Sequence, residues 1–518
     1  MPDAGPGLNE RMNSQSSPSI VIAGGGTAGW MAAALLSRFL GRDSRITLVE
    51  SEAIGTVGVG EATIPQIHLF NTALGLDEAE FLRETKATFK LGIEFDGWTA
   101  PDHRYMHAFG FMGRAVGPIP FRQLWHRASA DGLVEEFGHY SFNEVVARLG
   151  RMAISPPGAT SSLELVRAYH FDASLFAVYL RRYAEDRGVI RVEGKIEHVE
   201  QDPLSGDIVA LMLGGSRKVA GDFFIDCTGF RSLLLGETLG VPFLDWSTLL
   251  PCDRALAVPC ARSEAFRPYT QALARKAGWQ WRIPLQHRTG NGHVYCSSFI
   301  SDDEAASILL ANLDGEALDE PRPLRFTAGK RASMWSHNCV ALGLAAGFME
   351  PLESTSIHLI QSSLARLLKF LPQRSSGPAA RGTFNRLTAT EWEQIRDFIT
   401  LHYYANGRVG EPFWDRCRAM TVPDFLAAKL ALFEEAAIIV RDEGELFTEE
   451  AWGQVMIGQG LRPRSFSPMA AAVDGKELAG FMSTLTDSYR RAAQSLPTHA
   501  QFVDTMIARA PRRSEAHA

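Results

Sequence analysis

Cysteine is scarce in this 518-residue chain: Cys227, Cys252, Cys260, Cys296, Cys339 and Cys417 lie far apart, with no Cys-x-x-Cys pair among them. That spacing argues against a zinc site and against a disulfide framework, so no metal is expected. Long apolar runs are missing as well. No stretch reaches the ~18 uncharged apolar residues of a membrane span, and the polar start lacks the apolar core of a secretory signal. Positive charge is not in excess, since 52 Lys+Arg stand against 59 Asp+Glu for a net −7. No basic field is therefore available to draw in nucleic acid or an anionic membrane. The expectation is a reduced, cytoplasmic protein with neither nucleic acid nor membrane as partner.

What is present is an ordinary globular composition, 46% hydrophobic and 21% charged, in a chain long enough for several domains or one large fused unit. Ser19-Ile-Val-Ile-Ala23 reads as a buried parallel strand, residues 27–40 as a helix, and Arg45-Ile-Thr-Leu-Val-Glu50 as a second strand ending in an acid. Residues 172–186 carry apolar positions every three or four residues and predict an amphipathic helix, followed by short strands at 189–192, 195–199, 208–213 and 222–226. Residues 279–285 and 293–299 read as the arms of a hairpin, with Asn291-Gly292 as its turn. Beyond about residue 391 the pattern becomes helical, at 392–404, 422–441 and 476–494.

The sharpest local motif is Gly24-Gly25-Gly26-Thr27-Ala28-Gly29, lying between the first strand and its helix, with Glu50 placed for a ribose hydroxyl. Glycines let the backbone approach a pyrophosphate, and the helix amino terminus offers free N–H groups. No second fingerprint for a nicotinamide fold follows. The helix near Asp172, the strands after it and the segment Asp226-Cys227-Thr228-Gly229 resemble the layout of FAD-dependent aromatic hydroxylases, which favours FAD over NAD. The fold class expected is α/β, an FAD-binding Rossmann-like domain of the aromatic-hydroxylase type with an inserted β-rich substrate region and a mostly helical carboxyl-terminal part. The expected layout is a disordered leader at 1–17, an FAD-binding module with the interleaved β-rich region at 18–390, a helical substrate-covering region at 391–510 and a loose tail at 511–518.

Trp279-Gln280-Trp281-Arg282-Ile283-Pro284 resembles the W-x-W-x-I-P signature of flavin-dependent halogenases, the family of the tryptophan and indole halogenases. Gly58-Val59-Gly60-Glu61-Ala62-Thr63 resembles that family's loop over the FAD, residues 88–93 its segment bearing an active-site lysine, here Lys90, and residues 351–355 its segment bearing an acid, here Glu353. Each has a plainer reading taken alone: the two tryptophans share one face of a strand, Lys90 is a surface residue, and Glu353 caps or salt-bridges the next helix. The resemblance reverses these readings. It implies FAD, used as FADH2, held by Gly24, Gly26, Thr27, Ala28, Gly29, Glu50, Gly60, Glu61, Ala62, Asp226 and Gly343. It also implies Lys90 and Glu353 as the catalytic pair, and Trp279, Trp281, Ile283 and Pro284 beside the flavin.

The same resemblance implies halide bound by backbone N–H groups of Thr355 and Ser356, where the family usually has Thr-Gly. A side chain in place of glycine crowds the anion or alters the local φ, and the preference expected is bromide, with chloride still open. Met106-His107-Ala108-Phe109-Gly110 resembles the family stretch whose His and Phe sandwich an indole, with Phe447 on the carboxyl-terminal side. The paired tyrosines that clamp free tryptophan in the family are missing around residues 447–452, which points to indole or another electron-rich aromatic instead. Two-component halogenation is thus expected, with O2 as co-substrate, a separate flavin reductase, hypohalous acid handled by Lys90, and a homodimer as the family-level assembly. The rivals are an FAD-dependent aromatic monooxygenase and a non-catalytic FAD-binding partner protein.

Overall fold

Ile20–Ala23 is buried at every position and pairs in parallel with Ile46–Glu50 on one side and Phe223–Asp226 on the other. A run apolar on both faces is what a central parallel strand requires. The computed structural model describes residues 18–41, 44–54, 60–155, 163–264, 266–371 and 377–510. The expected leader and tail, and Gly58 of the loop expected over the flavin, lie outside these residues. The central strand sits in a six-stranded sheet ordered Trp335–Ser336, Cys339–Ala341, Phe223–Asp226, Ile20–Ala23, Ile46–Glu50 and Ile190–Glu193, parallel except at the Trp335 edge. The helix Thr27–Leu40, rich in buried alanine, packs against Ala173–Glu185 and Ser356–Phe370.

A second sheet of seven strands runs Arg322–Arg325, Arg254–Cys260, Thr289–Tyr295, Gly278–Pro284, Thr270–Arg275, Gly92–Asp96 and Arg104–Ala108. Here the structure corrects the sequence reading of the hairpin. Asn291-Gly292 lies inside the strand Thr289–Tyr295, paired with Arg282 and Trp281, and the chain reverses over 285–288 instead, where Leu285 N–H donates to Arg288 O. The glycine serves packing: a Cβ on Gly292 would sit 2.0 Å from the Trp281 ring.

A three-stranded sheet, Gly60–Ala62, Ala168–Asp172 and Thr88–Lys90 in that order, packs through Gly60–Ala62 on the seven-stranded one. Ala168–Asp172 is wholly buried and carries its neighbours on both edges. The helical stretches expected late in the chain are Pro378–Tyr404, Asp424–Ala436 and Gly475–Gln494. Pro378–Tyr404 packs on Ser356–Phe370, Glu449–Gly458 on Arg104–Ala108, and His499–Ala508 on Glu78–Glu84 and Thr88–Lys90. Among the described residues all six cysteines are free, no cluster could hold a metal ion, and no helix is long and apolar enough to cross a membrane.

Candidate active site

The glycine-rich turn is shaped by close approach. Gly24 has φ +106°, and a Cβ there would meet Cys227 O at 2.2 Å; one on Gly29 would meet Gly24 O at 1.9 Å. Gly25 lies against the carboxylate of Glu50, which Arg191 also holds. Gly26, by contrast, faces open space, and as N-cap of Thr27–Leu40 it makes no side-chain capping bond. A turn open at Gly26, with uncapped helix N–H groups beside it, fits a pyrophosphate. Gly343, with φ +59°, comes against Ala28 from the far side. Asp226 is fully buried and directed inward: one oxygen accepts from Thr228 N and Oγ1, the other from Leu234 N and Leu235 N. Glu61, beside Gly60 in its strand, is pushed up to about 7 by burial.

Gly60 also abuts Ile283, whose Cγ2 would lie 3.3 Å from a Cβ placed on the glycine, so the strand Gly60–Ala62 lies on the tryptophan strand. Trp279 and Trp281 are both buried, with ring centroids 6.2 Å apart. Thr88 joins this strand to the lysine strand by donating its hydroxyl proton to Pro284 O at 2.7 Å. Its proton thus spent, Thr88 Oγ1 accepts from His170 Nδ1 at 3.1 Å, while His170 Nε2 accepts from Thr270 Oγ1 at 2.9 Å. His170 is a neutral packing group, its pKa driven down by burial and by the charge of Lys90.

Lys90 has no exposed surface. Its Nζ donates to Ser354 Oγ at 2.7 Å and stands 5.3 Å from the centre of the Phe109 ring. Burial lowers its pKa to about 7, against the pull of the nearby Glu353 charge. Ser354 holds φ +58°, a left-handed conformation unusual for a side chain larger than glycine, at the turn between Glu353 and the helix Ser356–Phe370. Ser356 itself adopts no positive φ, so its side chain is accommodated without backbone strain. Thr355 caps that helix without a side-chain bond, leaving backbone N–H groups at its start.

Glu353 is 1% exposed. His107 Nδ1 lies 2.8 Å from its Oε2 and His402 Nε2 lies 2.7 Å from its Oε1. Burial alone would raise its pKa, but the attraction and hydrogen bond of His107, with His402 close on the other side, outweigh burial and hold it at about 2. An anion this close requires a proton on each facing ring nitrogen. His402, its own pKa lowered by burial, therefore carries that proton on Nε2 and accepts from the Tyr105 hydroxyl through Nδ1 at 3.1 Å.

The walls around the carboxylate are aromatic. His107 makes ring contacts with Phe398 at 5.6 Å and Phe447 at 6.1 Å, and Phe398 stacks on Phe447 at 3.7 Å. Gln454 fixes this wall by bonding both the N–H and the C=O of Ala108. Glu449, within the 447–452 stretch where paired tyrosines are missing, is paired with Arg122 at 3.0 Å.

The structure thus brings Lys90, Glu353, His107, Phe109 and Phe447 into one buried region, with Thr355 and Ser356 two and three residues after the acid. Sequence reasoning missed His402 and Phe398, whose only signal is an i, i+4 pair on the buried face of one helix. It also missed Glu350, fully buried, which accepts from Trp279 Nε1 at 2.9 Å and from the Tyr403 hydroxyl. Burial raises Glu350 to about 7, the two donors pulling the other way.

The tryptophan halogenase family model matches residues 19–475. The fold superposes on Xcc4156, a flavin-dependent halogenase from Xanthomonas campestris, with TM-score 0.92 and 47% identity over 95% of this chain and 99% of that one. BrvH, a flavin-dependent halogenase from Brevundimonas sp. BAL3, matches with TM-score 0.91 and 42% identity over 95% and 99%. Tryptophan 6-halogenase SttH of Streptomyces toxytricini is 34% identical over 96% of this chain and 99% of its own length. With the glycine turn, the paired tryptophans and the buried lysine and acid all present, the chain belongs to the tryptophan halogenase family of flavin-dependent enzymes.

Proposed function

We propose that the protein halogenates an electron-rich aromatic ring, an indole or close relative, with bromide preferred over chloride and with Lys90 and Glu353 as the catalytic pair. The observation that carries this reading is a fully buried amine bonded to Ser354, one residue beyond a fully buried carboxylate, beside the rings of Phe109 and His107. FAD, reduced by a separate reductase and bound at the glycine turn, would supply the chemistry that turns halide and O2 into hypohalous acid.

The rest falls to side chains. The start of Ser356–Phe370 presents N–H groups to an anion, and Ser356 narrows that position. Lys90, its pKa lowered to about 7 by burial, can as ammonium hold the oxygen of hypohalous acid, but only as the free amine does it take the halogen and release water. The ring carbon then takes the halogen from nitrogen, Glu353 stabilises the cationic ring and accepts its proton, and that proton passes on to nitrogen to restore the amine. His107 and His402 keep that carboxylate ionised and aimed. Separation of oxidation from substitution keeps water from consuming the oxidant.

Several relatives are named as tryptophan halogenases. The present wall, Phe398 stacked on Phe447, offers a flat apolar contact suited to an aromatic ring, and Glu449 nearby in sequence is paired to Arg122. A reductase-coupled assay with bromide or chloride over indoles, phenols and free tryptophan, read by mass spectrometry, tests the reading. Isotope doublets strongest for indoles with bromide are expected. Gain of oxygen in place of halogen would overturn it, and faster turnover with chloride would overturn the bromide preference.

A further inference from the structure

The lysine strand Thr88–Lys90 is an edge strand, paired among the described residues only with Ala168–Asp172. On its free edge the N–H of Phe89 points away from the sheet, yet Phe89 is fully buried. The acceptor for this amide is the Nε2 of His499, at 3.1 Å, the first residue of the helix His499–Ala508 and 410 positions away in sequence. The other ring nitrogen of His499, Nδ1, lies 3.1 Å from Phe266 O. A carbonyl only accepts, so Nδ1 carries the proton and Nε2 is the acceptor, and one neutral tautomer satisfies both sides. The ring is fully buried and stacks on Phe266 at 4.7 Å. The helix is itself pinned: His499 N–H donates to Gly150 O, and Thr498 forms a capping box with Gln501.

We infer that His499 is a positioning residue for the halogenation step, holding the free edge of the lysine strand so that the Lys90 amine stays on Ser354. The inference rests on the role proposed for Lys90. The residue immediately before the lysine is gripped at its backbone, and the amine reaches Ser354 at 2.7 Å, so slack at Phe89 is transmitted to Nζ. Displacement of a reacting group by about 1 Å is enough for a loss near 100-fold. His499 lies outside the 19–475 segment matched by the family model.

The test compares His499→Leu, which removes the acceptor, with His499→Gln, whose amide oxygen can accept from Phe89 while its NH2 donates to Phe266. His499→Phe, which keeps the stack on Phe266, replaces the leucine variant if that one does not fold. With FAD binding and reductase-driven peroxide output retained, the leucine or phenylalanine variant is expected to lose roughly 10- to 100-fold in halogenation kcat, with little change in KM for the aromatic. The pH midpoint of halogenation should also move upward, because water reaches the amine. Glu353 and His170 also bear on Lys90; Glu353 is left as it is, and His170, although it loses the influence of His499, stays neutral because burial is the largest cause of its lowered pKa. His499→Gln should recover activity to within about threefold, as expected when geometry alone is restored. Wild-type kcat and pH midpoint in a folded His499→Leu or His499→Phe enzyme, alongside an inactive Lys90→Ala control, would overturn this inference alone. A fully active Lys90→Ala control would overturn the lysine reading and this inference with it.

Discussion

A lysine with no water around it gives up its proton more readily than one at the surface, and Lys90 sits at about 7 for that reason. The sign of the consequence follows from proton counting. Between about 7 and the unfolded value of 10.5 the unfolded chain binds the proton and the folded one does not, so Lys90 makes stability rise with pH across that window and contributes no slope below it. Replacing Lys90 by Met should therefore abolish a gain of up to about 2–3 kcal/mol between pH 7 and 9, measured by urea unfolding at the two pH values. Lys90→Ala should keep FAD binding and peroxide release while losing halogenation by about 100-fold or more, read by product mass and peroxide assay. Glu353→Gln should slow halogenation by about 10²- to 10³-fold, and most on weakly activated rings, since charge stabilisation and proton removal are both lost. An unchanged rate on such a ring would reject the carboxylate role. At this scale the acid was singled out by the resemblance of residues 351–355 to the family's motif. Its pairing with two imidazoles was not legible, because residues 107, 353 and 402 are brought together only by folding.

Elements show how one local pattern serves two ends. Asn-Gly is a turn signal because both residues tolerate positive φ, but Gly292 takes an extended conformation in mid-strand and leaves room for the Trp281 ring. Gly292→Ala should cost about 1–3 kcal/mol through overpacking and disturb the tryptophan pair, checked by thermal unfolding and near-ultraviolet circular dichroism. The reversal at 285–288 was hidden because Gln286 and His287 are not strong turn formers. The first βαβ unit was legible for the opposite reason: its strand, glycine turn and helix are contiguous, and each has a local cause. The helix Pro378–Tyr404 was visible as amphipathic from 392 onward, while its partnership with the acid was not.

Across the whole molecule, the aromatic wall is assembled from three distant segments, with His107 from a sheet edge, Phe398 from a long helix and Phe447 from the stretch before Glu449–Gly458. Phe398→Ala should destabilise by about 3–5 kcal/mol and raise KM for flat substrates more than it lowers kcat, which denaturation and steady-state kinetics would separate. Read alone, the sequence determined the glycine-turn unit and the order of its strands and helices, since these depend on neighbours a few residues apart, whereas the lysine and the acid were singled out by their resemblance to the family's motifs and not by their local pattern. Only the tertiary structure decided that the lysine is dry, that the acid is held anionic between two imidazoles, and that a histidine near the carboxyl end closes the lysine strand. Burial and charge pairing act through space between residues hundreds of positions apart, and no local pattern encodes them.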